Sequence, residues 1–190
     1  MNYLGDQFIK IIQIFEKDFP NNKKDIFQYY SKFYYDISVK EKKKNSGWSI
    51  DLQKTQFPST FTKYSEGDIF QKYKEGAEYY IAFNDNGKEI GLIVVGKQSW
   101  NNTARIWDIS INEESQRKGF GEKLLKFAEK RAVEWNCRAI VLECQSSNYS
   151  AIQFYLKYGY TFTGFDLIAY SNNDIDRHEV RLEMGKILEF

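Results

Sequence analysis

In the middle of the chain, the spacing of apolar residues predicts consecutive strands. Residues 79–83 and 90–98 are typical of strands joined by a turn at residues 84–87, and residues 103–111 continue as a third strand. In the third strand apolar and polar side chains alternate, as expected where one face of a sheet is buried. These segments predict an antiparallel meander, and Gly91 in its middle strand indicates a bulge or a close approach of two backbones.

Downstream of the meander the apolar spacing becomes helical and then continuous. Apolar residues form one stripe of residues 122–135 and charged residues occupy most of the other side, which predicts an amphipathic helix. Residues 139–144 contain a continuous apolar run, as in a strand buried on both faces. Strand, helix and strand in this order predict a right-handed crossover between two parallel strands. Residues 160–170 and 177–185 predict a terminal hairpin around a polar loop.

The first part of the chain also shows helical spacing. Residues 3–19 and 24–37 each place apolar side chains on one face, and Pro20 separates them, so two helices are predicted. We expect these helices to form an N-terminal extension over residues 1–45, packed on a core domain at residues 46–190.

The segment between this extension and the meander is less regular. Residues 40–47 combine a run of lysines with Asn, Ser and Gly, which predicts a solvated linker. Residues 47–57 have weak strand character, residues 57–60 interrupt it at a proline, and a short helix is predicted near residues 68–74.

Composition limits the classes of function. The 190 residues carry 27 Lys and Arg against 26 Asp and Glu, and this net charge of +1 argues against a nucleic-acid binder. Two cysteines do not make a disulfide framework, and one histidine without a Cys-x-x-Cys pair predicts no metal site. Neither a signal peptide nor a membrane-spanning apolar run is visible, so we expect a soluble, cytoplasmic protein.

The loop between the meander and the amphipathic helix carries a candidate anion site. It reads Gln116-Arg-Lys-Gly-Phe-Gly121, so two glycines lie at the start of the helix, where backbone N–H groups lack partners and the helix dipole favours an anion. Arg117 and Lys118 add positive charge. The third glycine of a dinucleotide-binding fingerprint is replaced by Leu124, so the loop predicts a phosphate cradle of another kind.

The order of these motifs resembles the GNAT family of acetyl-CoA-dependent N-acetyltransferases. The loop at residues 116–121 stands between a strand and a helix, and Leu-Glu-x-x-x-x-Asn-x-x-Ala-x-x-Phe-Tyr-x-x-x-Gly-Tyr follows at residues 142–160. Residues 100–111, the Leu-Glu-Cys-Gln run from residue 142 and residues 178–182 look like the streptothricin-acetyltransferase branch of that family. Cys144 stands where that branch has Thr.

The resemblance implies the GNAT fold, an α/β (α+β) arrangement whose mixed sheet has about six to seven strands, a meander and a splayed parallel pair. It also implies acetyl-CoA as cofactor, with the pyrophosphate on the 116–121 loop and the pantetheine arm along residues 109–111. The cofactor contacts that it implies are Ile109, Ser110, Ile111, Gln116, Arg117, Lys118, Gly119, Phe120, Gly121, Glu122, Asn148, Ala151, Phe154 and Tyr155.

Catalytic roles follow from the same resemblance. Tyr155 matches the Tyr of the family pattern and is the candidate acid for the leaving thiolate, although an interior helix Tyr is otherwise a packing residue. Removing a proton from an ammonium substrate calls for a carboxylate or a water chain. Asp108 and Glu143 lie on the two strands expected to splay and are candidates, with an ordinary ion pair as the alternative. Asn148 is expected to bond the pantetheine arm or only to cap the next helix.

Three functions stay open at this point. The first is acetylation of a primary amine on a small cationic molecule, such as a streptothricin-like antibiotic, which would give antibiotic resistance. The second is N-acetylation of a protein at its terminus or at a lysine, and the third is CoA binding without catalysis. We favour the first, because the loop and Tyr155 are both intact and the N-terminal extension argues against an open groove. Neither nucleic acid nor membrane is expected as a partner, and a homodimer stays open.

Overall fold

The computed structural model describes residues 8–42, 47–74 and 76–189. Its strands, numbered in chain order, are β1 (Lys10–Ile14), β2 (Lys24–Lys42), β3 (Gly47–Asp68), β4 (Ala77–Phe83), β5 (Glu89–Gln98), β6 (Thr103–Ile111), β7 (Ala139–Gln145), β8 (Thr161–Asp166) and β9 (Arg181–Ile187). The α-helices within the described ranges are α1 (Phe120–Glu134) and α2 (Tyr149–Lys157). Neither of them combines the length and the apolarity that a helix needs to cross a membrane.

Seven of the described strands form one mixed sheet. Their order is β1-β4-β5-β6-β7-β9-β8, and β2 pairs with β3 in a separate two-stranded sheet. Neighbours from β1 to β6 are antiparallel, β6 and β7 are parallel, and β8 and β9 form the predicted terminal hairpin. The predicted mixed sheet with its meander and crossover helix is therefore confirmed.

The chain divides into two compact units. One contains the chain up to Asp25, Glu66–Leu142 and the end from Ile187, and the other contains Ile26–Ser65 and Glu143–Lys186. In the first unit β5 is buried along most of its length, because α1 packs against β5 and β6 while Leu92 and Val94 pack with Ile69 and Phe70. The apolar stripe of α1 supplies the buried residues Phe120, Leu124, Leu125, Ala128 and Ala132.

The described pairing of the parallel strands β6 and β7 covers four residues of each strand. Its register runs from Thr103 opposite Ala139 to Ile106 opposite Leu142, and both strands continue beyond that point. β6 has a bulge at the same place, because the described β5–β6 register gives Trp107 no residue of its own on β5. The rest of β6 therefore lies beyond the described β7 register, and the splay of this pair stays a prediction.

Gly91 of β5 lies close to the backbone of β6. A Cβ atom at Gly91 would lie 2.2 Å from the carbonyl oxygen of Ser110. Any side chain must therefore push β6 away, which confirms the close approach expected from the sequence.

We predict that Gly91→Ala lowers the free energy of unfolding by about 2 kcal/mol, as overpacking does in a close-packed interior. Urea unfolding measures the change. Gly67→Ala is the matched control, since the nearest atom to a Cβ there lies 3.9 Å away, and it should stay within about 0.5 kcal/mol of the parent. Equal midpoints for Gly91→Ala and Gly67→Ala would contradict the prediction.

Both predicted N-terminal helices are wrong. Of residues 3–19, residues 10–14 form β1 beside β4, and residues 1–7 lie outside the described residues. The second predicted helix, residues 24–37, lies within β2. Its buried residues Ser31, Tyr34 and Ile37 recur every third position, which imitates helical spacing in the sequence. The division between residues 45 and 46 stays a prediction.

Three further local predictions change. β3 runs through Pro58 to Asp68, so the break at residues 57–60 and the helix at residues 68–74 are absent from the described structure. A strand in a two-stranded sheet has one edge without ladder hydrogen bonds, and proline is tolerated at such an edge. The predicted linker at residues 40–47 begins within β2 and includes residues 43–46, which lie outside the described residues.

Candidate active site

The loop predicted to bind phosphate joins β6 to α1 in the first unit. Gln116 donates from Nε2 to a backbone carbonyl of β6 at 3.1 Å, and Lys118 donates from Nζ to a carbonyl of the preceding turn at 2.7 Å. Arg117 and Gly119 have φ angles of +60° and +85°. These left-handed residues turn the chain sharply into α1, and glycine adopts that conformation without steric cost.

The start of α1 is accessible to an anion. Gly119 is the N-cap residue and no side chain caps the helix, so the first N–H groups of α1 have no side-chain acceptor. A Cβ at Gly119 would meet no atom within 4 Å, so the backbone can be approached closely there. The Phe120 side chain is buried and the Glu122 carboxylate pairs with Lys126 at 2.6 Å, so these residues offer an anion their backbone N–H groups. The residues present therefore fit a pyrophosphate group.

Residues 109–111 of β6, just before this loop, pair with β5 on one side, and the described register with β7 ends before them, at Ile106. A strand edge without a neighbouring strand can hydrogen-bond an extended ligand in the manner of an added strand. The Ser110 side chain points elsewhere, since its hydroxyl donates to Asp25 Oδ1 at 3.1 Å.

Asp108 pairs with a lysine that the sequence did not single out. Lys74 forms a salt bridge to Asp108 and also donates to the carbonyl oxygen of Ile69 at 3.1 Å. The Lys74 side chain is 4% exposed and the Asp108 side chain 35% exposed, so the ammonium is the more buried partner. The ion pair that was the alternative for Asp108 is therefore present.

We predict that Lys74→Met lowers the free energy of unfolding by about 2 kcal/mol, because it leaves the Asp108 carboxylate beside an apolar side chain. The double variant Lys74→Met/Asp108→Asn carries no unpaired charge and should recover at least half of that loss. Urea unfolding of the two single variants and the double variant measures the coupling. Strictly additive effects would show that the pair contributes nothing to stability.

Tyr155 lies on α2 in the second unit and is 7% exposed. Its ring packs on Phe154 and Tyr160, with centroids 5.4 Å and 6.0 Å away. Burial, and next the nearby Cys144 thiol, raise the pKa of Tyr155, so the hydroxyl keeps its proton at neutral pH. None of the described residues forms a hydrogen bond with this hydroxyl. It is therefore a proton donor available to a ligand.

Asn148 starts α2. Its Oδ1 accepts a hydrogen bond from the backbone N–H of Ala151 at 3.2 Å, so the capping role considered from the sequence is present. The cap uses only the oxygen of the side-chain amide, and the nitrogen can still donate to a ligand. Ala151 and Phe154 are half-buried on the same helix.

Glu143, at the end of β7, belongs to a charged cluster with residues of the terminal hairpin. Arg181 Nε lies 3.0 Å from Glu143 Oε2 and 2.8 Å from Glu183 Oε1. The Tyr170 hydroxyl donates to Glu143 Oε1 at 3.0 Å. Burial, followed by the Glu143 carboxylate, raises the pKa of Tyr170, so this tyrosine is a neutral donor. Two carboxylates therefore contact one guanidinium, and Glu143 also accepts the hydrogen bond from Tyr170.

Cys144, between Glu143 and the start of α2, is 7% exposed. Burial, and to a smaller extent the Glu143 carboxylate, raises the pKa of the Cys144 thiol to about 12. A thiol that stays protonated at neutral pH is a poor nucleophile, so Cys144 is a buried structural thiol.

Sequence reasoning missed Lys74, Tyr170 and Arg181. Lys74 stands in a segment where no period was clear, so nothing in the sequence pointed to it. Arg181 was within reach, because it alternates with Glu183 along a predicted strand. An arginine can pair with a carboxylate directly opposite it on a neighbouring strand. The sequence did not show which strand lies next to the strand that carries Arg181.

The chain is similar in sequence to known acetyltransferases. Residues 49–160 match the pattern of the acetyltransferase (GNAT) family. Streptothricin acetyltransferase A of Bacillus subtilis (strain 168) is 31% identical over 130 residues, which cover 67% of this chain and 73% of that protein. The streptothricin acetyltransferase of Escherichia coli is 34% identical over 96 residues, which cover 50% and 54% of the two chains.

Two solved structures share the fold along nearly the whole chain. Nourseothricin acetyltransferase superimposes with a TM-score of 0.75 at 21% identity, covering 95% of this chain and 99% of that one. A protein of Bacillus anthracis str. Ames, assigned as a streptothricin acetyltransferase and crystallised with acetyl coenzyme A, superimposes with a TM-score of 0.72. The identity is 25%, and the match covers 97% of this chain and 100% of that one.

Proposed function

Because the chain belongs to the GNAT family of acetyltransferases, we propose that it transfers an acetyl group from acetyl-CoA to a primary amine of a small cationic molecule. The observation that carries this proposal is the uncapped start of α1, with open space beside Gly119. Acetyl-CoA supplies the acetyl group as a thioester, which an amine nitrogen attacks directly. We place the reaction in the cytoplasm, as the sequence led us to expect.

The chain's own residues would hold the cofactor in two places. The N–H groups of residues 119–122 bind the pyrophosphate, with positive charge from Arg117 and Lys118 and a polar contact from Gln116. The backbone of residues 109–111 pairs with the pantetheine amides, and the Asn148 side-chain nitrogen donates to the same arm. Ala151 and Phe154 line the arm along α2.

Acetyl transfer also needs a donor for the negative charge that develops on the thioester oxygen, an acid for the leaving thiolate and an acceptor for the amine proton. A backbone N–H in residues 109–111 donates to the thioester carbonyl oxygen as negative charge develops there; loss of one such donor costs about 3 kcal/mol in comparable enzymes. As the carbon–sulfur bond breaks, the Tyr155 hydroxyl gives its proton to the thiolate and recovers one from solvent.

Glu143 is the carboxylate that we assign to the acceptor amine. Glu143 shares the Arg181 guanidinium with Glu183, whereas Asp108 pairs with the Lys74 ammonium. We therefore assign Glu143 to take up the amine proton, directly or through water. The role that we assign to Asp108 is to hold the Lys74 ammonium beside β6.

The acceptor class that we propose is the streptothricin type of antibiotic, whose acetylation would give resistance to it. The similarity to two streptothricin acetyltransferases supports this assignment.

Thiol release from acetyl-CoA with a panel of amines tests the proposal. The panel contains a streptothricin, an aminoglycoside, spermidine and short peptides with free termini. Turnover with the streptothricin at a rate well above the others supports the proposal. Turnover with peptides alone would assign protein N-acetylation instead, and acetyl-CoA binding without turnover would assign a non-catalytic module.

A further inference from the structure

An aromatic cage in the second unit holds a positive charge of the chain itself. Phe33 of β2 and Tyr149 of α2 have ring centroids 5.5 Å apart, and Tyr35 lies 5.8 Å from Tyr149. The Lys54 Nζ of β3 lies 4.1 Å from the Phe33 centroid and 4.8 Å from the Tyr149 centroid. We call Phe33, Tyr35 and Tyr149 the aromatic cage.

The geometry of the cage is that of a cation site. An ammonium within about 6 Å of a ring centroid is attracted by the negative face of the ring, and two rings around one charge add their attraction. The cage is also held in shape, because Gln153 Nε2 donates to the Tyr35 hydroxyl at 3.1 Å and Tyr35 packs on Phe162 at 5.8 Å. The three rings are half-buried, so a ligand can reach them.

Lys54 is an exchangeable occupant. Its side chain is exposed, and within the described part of the chain no carboxylate or carbonyl pairs with its ammonium. The rings are its only described partners. A free ammonium of similar size would meet the same ring faces once Lys54 swings into water, and Lys54 competes with it as a tethered ligand.

We propose that the aromatic cage is an accessory binding site for an organic ammonium group, with Lys54 as its internal competitor. The lack of a described carboxylate at the rings favours an alkylammonium over a metal ion. Tyr149 and Gln153 are four residues apart and share one face of α2, whereas Asn148 and Tyr155 lie seven apart on another. The cage is therefore a second site, distinct from the contacts proposed for the cofactor and the leaving thiolate.

To test the cage, the binding of n-butylammonium to the protein without acetyl-CoA is measured by calorimetry or NMR titration. 1-Butanol is the neutral probe. Lys54→Ala empties the cage and should tighten n-butylammonium binding about 3- to 10-fold, because the tethered competitor is gone. Adding Phe33→Leu to Lys54→Ala removes one ring and should reverse that gain. The affinity for 1-butanol should change in neither variant.

Lys10→Ala is the matched control, since Lys10 is an exposed lysine of β1 and its loss changes the net charge equally. The cage is overturned if Lys10→Ala tightens binding as much as Lys54→Ala, or if 1-butanol binds as well as n-butylammonium. The thermal stability of each variant is measured alongside, and an equally stable Lys54→Ala that gains no affinity also overturns it.

Kinetics then distinguish two sources of the ammonium group. If the cage holds a second ammonium of the acceptor, Lys54→Ala lowers KM for diamines but not for monoamines. If it holds a separate amine, added n-butylammonium changes kcat without competing with the acceptor. The binding result stands in either case and is independent of whether the proposed acceptor is correct.

Discussion

Tyr155→Phe is expected to lower kcat for acetyl transfer about 100-fold while leaving the Kd for acetyl-CoA within about twofold, the size expected when a general acid is lost. The buried hydroxyl has no hydrogen-bond partner in the described residues, and its raised pKa keeps it protonated. Phenylalanine keeps the ring that packs on Phe154 and Tyr160. Steady-state kinetics and calorimetric titration with acetyl-CoA separate the two quantities.

Tyr158→Phe is the matched control for this prediction. Tyr158 also packs on Phe154, at 5.0 Å, and it follows the end of α2. It should keep at least half of the parent kcat, because the account assigns its hydroxyl no proton transfer. Equal kcat for Tyr155→Phe and the parent protein would remove Tyr155 from the acid role.

Gly119→Val should weaken acetyl-CoA binding at least about 30-fold, because a branched side chain would fill the space in which the pyrophosphate meets the start of α1. Here φ is +85°, and no protein atom lies within 4 Å of an added Cβ. The chain therefore keeps this space without using it for packing. Calorimetric titration with acetyl-CoA, and with CoA alone, measures the change.

Gly87→Val separates the loss of space from backbone strain. Gly87, in the turn between β4 and β5, has φ of +73° and likewise no atom within 4 Å of an added Cβ. Both substitutions carry the strain of a β-branched residue at positive φ, about 1–2 kcal/mol. Gly87→Val should lose stability but bind acetyl-CoA normally. A similar loss of affinity in both variants would mean that strain, and not an occupied cradle, explains Gly119→Val.

The part of the fold from β4 to α2 could be predicted from the sequence because its periods are unambiguous. In the sequence, apolar and polar residues alternate along β6, α1 has one apolar stripe, and the centre of β7 is a continuous apolar run. A glycine also marked one connection, since Gly119 is the N-cap residue at which α1 begins. Local spacing and tertiary environment agree in this region.

The N-terminal part could not be predicted from the spacing of its apolar residues, because that spacing is helical whereas the segment forms strands. β2 is a long strand of a two-stranded sheet, and Ser31, Tyr34 and Ile37 are buried three residues apart. That spacing fits a helix as well as it fits such a strand. The aromatic residues of β2 favoured a strand, and this weaker signal was the correct one.

The candidate site was predicted residue by residue but not as a set of partners. The positions of Tyr155 and Gly119 follow from motif spacing, so both could be identified from sequence. The salt bridge from Lys74 to Asp108 and the cluster of Glu143 with Arg181 depend on which segments meet in space. Those contacts are the basis on which we propose Glu143, and not Asp108, as the proton acceptor, and they could not be derived from the sequence.

The most direct test of the account is the product of one reaction. Purified protein, acetyl-CoA and a streptothricin are incubated together, and the streptothricin is examined by mass spectrometry and fragmentation. We expect a product heavier by one acetyl group, carried on an amine nitrogen. The Gly119→Val variant should not form this product. An unmodified streptothricin, in a preparation that binds acetyl-CoA, would contradict the proposed acceptor.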